Sequence, residues 1–170
     1  MSGSPFAGSV LPDEIIKLAA RVVAENRAAG RTIALAESCT GGLVAAAITE
    51  IAGSSAVLDR GFVTYSNEAK QEMLGVPGYI IDTFGAVSVA CAWAMAQGAI
   101  KHSRADVTVA ISGIAGPEGG TAKKPVGTVV FARAIRGSDE VMAEERFLDA
   151  TSRADVRYQA TLVALELLLP

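Results

Sequence analysis

The chain reads as an α/β protein, a three-layer α/β/α sandwich around a mixed, mostly parallel sheet of about five strands. Three observations predict this. Helical apolar stripes alternate with short apolar runs of strand length along its 170 residues. Apolar residues make up 51% but aromatics only 5%, so the core must be built from Ala, Val, Ile and Leu. Seventeen glycines mark frequent tight turns. No repeat, low-complexity tract or linker interrupts the pattern, and one domain over residues 1–170 is expected.

Residues 12–29 carry Ile15, Leu18, Ala19, Val22 and Val23 at helical spacing, with Gly30 as the stop. Residues 32–36 read as a short buried strand and 40–51 as an Ala-rich helix ending before Gly53. A second strand is expected at 61–65 and a short helix at 67–74, closed by Gly75. After a loop containing Pro77, Ser88 is placed to cap a helix running to about residue 101. Residues 107–111 form a third strand, apolar except for Thr108. Residues 113–127 then hold five glycines and two prolines, a break long enough to suggest a functional loop. Strands at 129–134 and 141–147, joined through Arg136-Gly137-Ser138-Asp139, suggest a hairpin that adds one antiparallel pairing. Asp149 to Ser152 lead into a last helix with Val156, Ala160, Val163, Ala164 and Leu167 on one stripe.

Several function classes are disfavoured. A net charge of −3 provides no basic field for nucleic acid. No apolar run approaches the ~20 residues that span a bilayer, and residues 1–11 lack a charged-then-apolar leader pattern. Cys39 and Cys91 lie far apart and do not make a disulfide scaffold, so a cytoplasmic location is the default expectation. One histidine, His102, and no Cys-x-x-Cys leave only carboxylates as metal ligands, and no metal is expected. Self-association into a homo-oligomer is left open.

In open α/β sheets ligands collect at the carboxyl ends of the strands. Three polar segments fall there: residues 37–42, 65–70 and 112–120. Ser38 follows the first strand where a helix is expected to open, beside N–H groups able to stabilise negative charge. Gly41 and Gly42 permit close approach of a ligand, although neither G-x-x-x-x-G-K-[ST] nor G-x-G-x-x-G spacing is present. Cys39 competes with Ser38 as a nucleophile, and also suits a small apolar filler role. With a single histidine in the chain, Lys70 is the candidate base, because burial brings a lysine toward neutrality. Tyr65, at the strand end, is placed to orient or relay its proton. Glu37 is read either as a partner for Lys or Arg or as a cap on the next helix. The amides of Ser112 and Gly113 are candidate oxyanion donors. Arg153 and Arg157, one helical turn apart, share a face suited to a phosphate or carboxylate, with pairing to Asp149 or Asp155 as the structural alternative.

Four segments together resemble the CinA C-terminal family, which includes stand-alone nicotinamide-nucleotide amidohydrolases. They are Ala36-Glu37-Ser38-Cys39-Thr40-Gly41-Gly42, the run from Arg60 through Tyr65-Ser66-Asn67 to Lys70, Gly85-Ala86-Val87-Ser88, and the run from Ser112 to Gly120 with Lys124-Pro125-Val126-Gly127. The resemblance covers the chain from about Leu11 onward. It implies hydrolysis of the carboxamide of nicotinamide mononucleotide, a small-molecule nucleotide substrate, to nicotinate mononucleotide and ammonia. It implies an α/β/α fold with one antiparallel strand, no metal or organic cofactor, Ser38 as nucleophile, Lys70 as base and Tyr65 close to both. Glu37, Thr40, Gly41, Gly42, Ser112 and Gly113 would then border the substrate, with Arg153 or Arg157 on its phosphate. Larger members carry an N-terminal domain of molybdopterin-binding type, so 170 residues favour the stand-alone form. The alternative is a non-catalytic nucleotide-binding or protein-interaction module of the competence/damage-inducible type.

Overall fold

The computed structural model describes residues 8–140 and 142–170. Its elements run α1 (Asp13–Ala28), β1 (Ile33–Glu37), α2 (Leu43–Thr49), a 3-10 turn (Ser54–Ala56), β2 (Leu58–Val63), α3 (Asn67–Leu74), α4 (Gly78–Phe84), α5 (Val89–Lys101), β3 (Val107–Gly113), β4 (Thr128–Ile135), β5 (Met142–Phe147) and α6 (Arg153–Leu167). The five strands form one mixed sheet in the order β2-β1-β3-β4-β5. β1 pairs parallel with both β2 and β3, whereas β4 runs antiparallel to both β3 and β5. One strand is therefore antiparallel, as expected. It makes two antiparallel pairings rather than the single hairpin pairing, because β4 lies between β3 and β5.

The two-residue period of the strands divides the core. Ile33, Leu35, Val107, Val109, Ile111, Val129 and Phe131 face α1, α2 and α6. Ala36, Ala110, Val130, Ala132 and Ala134 face α5, with Leu74 and Ile81 beside them. The small residues of that second face allow the Ala-rich α5 to lie close on the sheet. Ser88 and Ser152 cap α5 and α6, accepting from the Cys91 and Asp155 N–H groups.

Three segments differ from the sequence reading. The helix expected over 40–51 is only α2, since Gly41 and Gly42 adopt positive φ (60° and 99°) and hold residues 38–42 in a turn. The second strand begins at Leu58 and ends at Val63, earlier than 61–65; Asp59 and Arg60 are paired with each other at 2.7 Å on the sheet edge, where polar residues are tolerated. The loop after Pro77 is in fact α4, with Pro77 as its N-cap. Val141, assigned to the last strand from sequence, lies outside the described residues. Among the described residues no helix is long and apolar enough to cross a membrane.

Candidate active site

β1, β2 and β3 run in one direction, so their carboxyl ends meet at one edge of the sheet. A cleft of about 230 Å³ opens there, lined by Ser38 and Cys39 after β1, Tyr65, Asn67 and Lys70 after β2, Ser112, Gly113 and Ala115 on β3 and beyond, Ala86 and Val87 before α5, and Arg153 of α6. The three polar segments picked out from the sequence do converge.

Lys70 is the unusual residue of the cleft. It sits on α3 with only 1% of its surface exposed, among the largest fully buried side chains in the protein. Its Nζ lies 3.1 Å from Ser38 Oγ, 2.9 Å from the Thr64 carbonyl and 3.4 Å from the Tyr65 carbonyl. Among the described residues it has no carboxylate partner. Burial without a counter-ion disfavours the ammonium form and pulls the Lys70 pKa below the ordinary lysine value. Cys39 shows the opposite consequence of the same burial: its thiol is pushed up to about 11 and stays protonated at neutral pH. Of the two adjacent nucleophile candidates, the hydroxyl faces the amine and the thiol is buried and protonated.

Glu37 does not face the cleft. Its carboxylate, 1% exposed, accepts from the N–H groups of Gly42 (3.0 Å), Val44 (3.2 Å) and Ala45 (2.9 Å). The cap reading of Glu37 is therefore the one observed. The start of α2 already holds an anion of the protein's own, and the helix-opening N–H groups expected to serve Ser38 are taken. Thr40, Gly41 and Gly42 lie outside the cleft for the same reason: their turn wraps around the Glu37 cap.

Tyr65 contributes to the Lys70 environment through its carbonyl. The phenol of Tyr65, a residue 61% exposed, accepts from Arg153 Nη2 at 2.9 Å and makes no hydrogen bond to Lys70 or Ser38 among the described residues. Arg153 also donates from Nη1 to the Gly116 carbonyl at 2.7 Å, which ties α6 to the long glycine-rich loop. Arg157 lies on the other side of the Ser38 turn, donating to the carbonyls of Cys39 (3.1 Å) and Thr40 (3.2 Å). The two arginines share a helix face, but only Arg153 reaches the cleft, and neither forms the alternative pair with Asp149 or Asp155.

Ser112 is inside β3 and gives its hydroxyl proton to the Ala86 carbonyl at 2.9 Å, fixing the loop before α5. Lys124 grips the same loop through the Phe84 and Val87 carbonyls. Gly113 is required by crowding: a Cβ there would meet Val129 Cγ2 at 2.8 Å, Cys39 Sγ at 3.1 Å and the Thr128 carbonyl at 3.1 Å. Asn67, Ala86, Val87 and Ala115 also line the cleft; all four stand in the segments that carry the resemblance, but none is given a site role in the sequence reading. Asn67 was detectable, since it stands three residues before Lys70 at the start of the same helix and so shares its face. Among the described residues no group of three or more His, Cys, Asp or Glu side chains could hold a metal ion.

Fold and cleft together define an α/β protein in which a serine hydroxyl meets a buried, unpaired amine at the carboxyl edge of a mixed sheet. The chain belongs to the CinA C-terminal domain family, whose model matches residues 15–170. It is 51% identical to the nicotinamide-nucleotide amidohydrolase PncC of Escherichia coli K12, over 91% of this chain and 93% of that protein. A CinA-like protein of Mycolicibacterium vanbaalenii is 48% identical over 95% of this chain, which corresponds to 36% of that longer protein. The crystal structure of the competence/damage inducible protein CihA from Agrobacterium tumefaciens superposes with a TM-score of 0.89 at 50% identity, covering 94% of this chain and 96% of that one.

Proposed function

We propose that this chain hydrolyses the carboxamide of nicotinamide mononucleotide, with Ser38 as nucleophile and Lys70 as its base. Its membership of the amidohydrolase class rests on the 51% identity with PncC along nearly the whole of both chains. The observation that carries the mechanism is the Lys70 amine, buried, without a counter-ion and 3.1 Å from Ser38 Oγ.

A neutral lysine has two N–H bonds and one lone pair. The two protons go to the Thr64 and Tyr65 carbonyls, and the lone pair is left for the Ser38 hydroxyl. Ser38 Oγ attacks the carboxamide carbon while its proton passes to Lys70 Nζ. The tetrahedral intermediate collapses, the C–N bond breaks, and Lys70 returns the proton to the leaving nitrogen, releasing ammonia. Water then attacks the ester on Ser38, giving its proton to Lys70, and nicotinate mononucleotide leaves with Ser38 restored. One water is consumed and one ammonia formed. The Arg153 guanidinium, at the cleft wall and free of any carboxylate among the described residues, is the cation for the 5′-phosphate. The reading also makes the whole chain a single amidohydrolase domain working in the cytoplasm.

The test is ammonia release from nicotinamide mononucleotide by the purified chain without added metal. Stoichiometric nicotinate mononucleotide is expected. Tight binding of the nucleotide with no turnover would instead favour a non-catalytic module.

A further inference from the structure

We propose that Arg157 is a positioning residue for the acyl-transfer step: from behind the cleft it holds the turn that presents the Ser38 hydroxyl and the Cys39 N–H to the carboxamide. The inference rests on the Ser38 reading above. It concerns how that site is held rather than which molecule is cleaved.

In the turn after β1 the carbonyls of Ser38, Cys39 and Thr40 are all taken. The Gly41 N–H binds the Ser38 carbonyl at 3.0 Å, and Arg157 binds those of Cys39 and Thr40 through Nε and Nη2. From the opposite direction the Glu37 carboxylate collects the N–H groups of Gly42, Val44 and Ala45. A buried anion thus holds three N–H groups of this segment, while Arg157 is the recorded partner of the Cys39 carbonyl and shares the Thr40 carbonyl with the Leu43 N–H. Two amides remain, those of Cys39 and Thr40, and neither has an acceptor outside its own residue among the described residues.

Peptide planarity says what these amides do. The C=O and N–H of one trans peptide point to opposite sides. The Ser38–Cys39 peptide turns its carbonyl inward to Gly41, so its N–H faces outward, and Cys39 lines the cleft. That N–H belongs to the residue after the nucleophile, where it can receive the oxygen of a tetrahedral intermediate formed on Ser38. Thr40 is fully buried and cannot serve in this way. Arg157 itself borders a separate apolar groove with Leu11, Ile15, Leu43 and Tyr158, on the far side of the turn from the cleft. It therefore acts through the backbone and touches no substrate. Its forked donors suit two successive carbonyls, as a single ammonium would not. Gly41 serves the same turn through its backbone, whose φ of 60° is one that L side chains rarely adopt.

The test is Arg157→Ala, followed by steady-state kinetics on nicotinamide mononucleotide and by the rate at which a fluorophosphonate labels Ser38. Displacing one oxyanion donor should lower kcat about 10- to 100-fold, somewhat less than deleting one. KM should stay near wild type, the labelling rate should fall in step with kcat, and added guanidinium ion should restore part of both. A raised KM with kcat retained would make Arg157 a substrate ligand and overturn the proposal. Unchanged kcat and labelling would overturn it too, as would a loss that guanidinium leaves unrepaired and that follows a lower Tm. Should Arg157→Ala fail to fold, Arg157→Lys keeps the cation and must still show a several-fold lower kcat at near-native Tm; wild-type kcat in that variant overturns the requirement for the fork. If wild type releases no ammonia from the mononucleotide, the substrate reading fails alone. The labelling rate of Ser38 still decides the case of Arg157.

Discussion

Lys70 Nζ and Ser38 Oγ lie 3.1 Å apart on segments 32 residues distant in sequence, and the amine is almost wholly withdrawn from water. α3 is oriented for this contact by its own start, where Ser66 caps the helix by accepting from the Ala69 N–H. Val76 N–H binds the Lys70 carbonyl at the other end. The lysine is thus held by a short helix fixed at both termini, and its burial rather than any neighbouring charge sets its chemistry.

The first prediction concerns the two adjacent nucleophile candidates. Ser38→Ala should lower kcat by on the order of 10⁴-fold or more while the fold and nucleotide binding persist. Cys39→Ala should keep most of the activity, because a thiol with a pKa pushed up to about 11 is not ionised at working pH. Kinetics and calorimetric binding on both variants check this, and an inactive Cys39→Ala beside an active Ser38→Ala would reverse the assignment.

The second prediction follows from the lowered Lys70 pKa. Catalysis needs the neutral amine, so kcat/KM should rise with pH and level off below the ordinary lysine value of about 10.4. Lys70→Arg should be nearly inactive, since guanidinium stays protonated. Stability must show the same group. Below the folded pKa both states carry the proton, and the cost of burying the charge is fully present. Between the folded pKa and about 10.4 only the unfolded chain carries it, so stability rises with pH across that window. Denaturant titrations of wild type against Lys70→Met should show this slope in the first and its loss in the second.

Much of this arrangement was legible in the sequence, and what was not has physical reasons. Apolar periodicity located the helices and strands that make up the sheet and its flanking layers, since a buried strand or an amphipathic helix writes its period directly into the chain. Ser38, Lys70, Ser112 and Gly113 could be gathered because parallel strands end at one edge. Boundaries failed where a turn and its side-chain cap decide them, as at Gly41 and Gly42. The start of α2 depends on Glu37, five residues before the first N–H it accepts, a spacing unlike the usual capping box. The separation of Arg153 from Arg157 was also hidden. Helical spacing puts them on one face, but only the position of the Ser38 turn decides that one reaches the cleft and the other lies behind it. Ala86 and Val87 belong to a segment marked by the resemblance, but their place in the cleft depends on Ser112 and Lys124, through contacts of 26, 37 and 40 residues' separation that apolar periodicity does not reveal.

The third prediction tests the Glu37 cap. Glu37→Gln keeps the side chain's size but removes its charge and turns an amide donor toward N–H donors, so stability should fall by about 2 kcal/mol. Because α2 and the Ser38 turn share this carboxylate, kcat should fall with it while KM for the mononucleotide changes little. A variant as stable as wild type in denaturant titration would show that the three N–H contacts are not structural.

The last prediction separates the two arginines by the substrate's phosphate. If Arg153 holds it, nicotinamide riboside should be a far poorer substrate than nicotinamide mononucleotide, because a charge-assisted contact remote from the amide helps position the reacting group. Arg153→Ala should raise KM for the mononucleotide and leave the riboside almost unaffected, so the gap between the two narrows. Tyr65→Phe should narrow it less, since the phenol touches the guanidinium at 2.9 Å and orients it without bearing charge. Arg157→Ala should lower the rate on both substrates by a similar factor and leave the gap intact, since its guanidinium is turned to the Cys39 and Thr40 carbonyls. Comparing kcat/KM for both substrates across these variants gives a pattern that neither arginine can produce alone. If Arg153→Ala leaves the gap at its wild-type size, the phosphate is bound elsewhere. Equal cleavage of riboside and mononucleotide by wild type would remove the phosphate from recognition altogether.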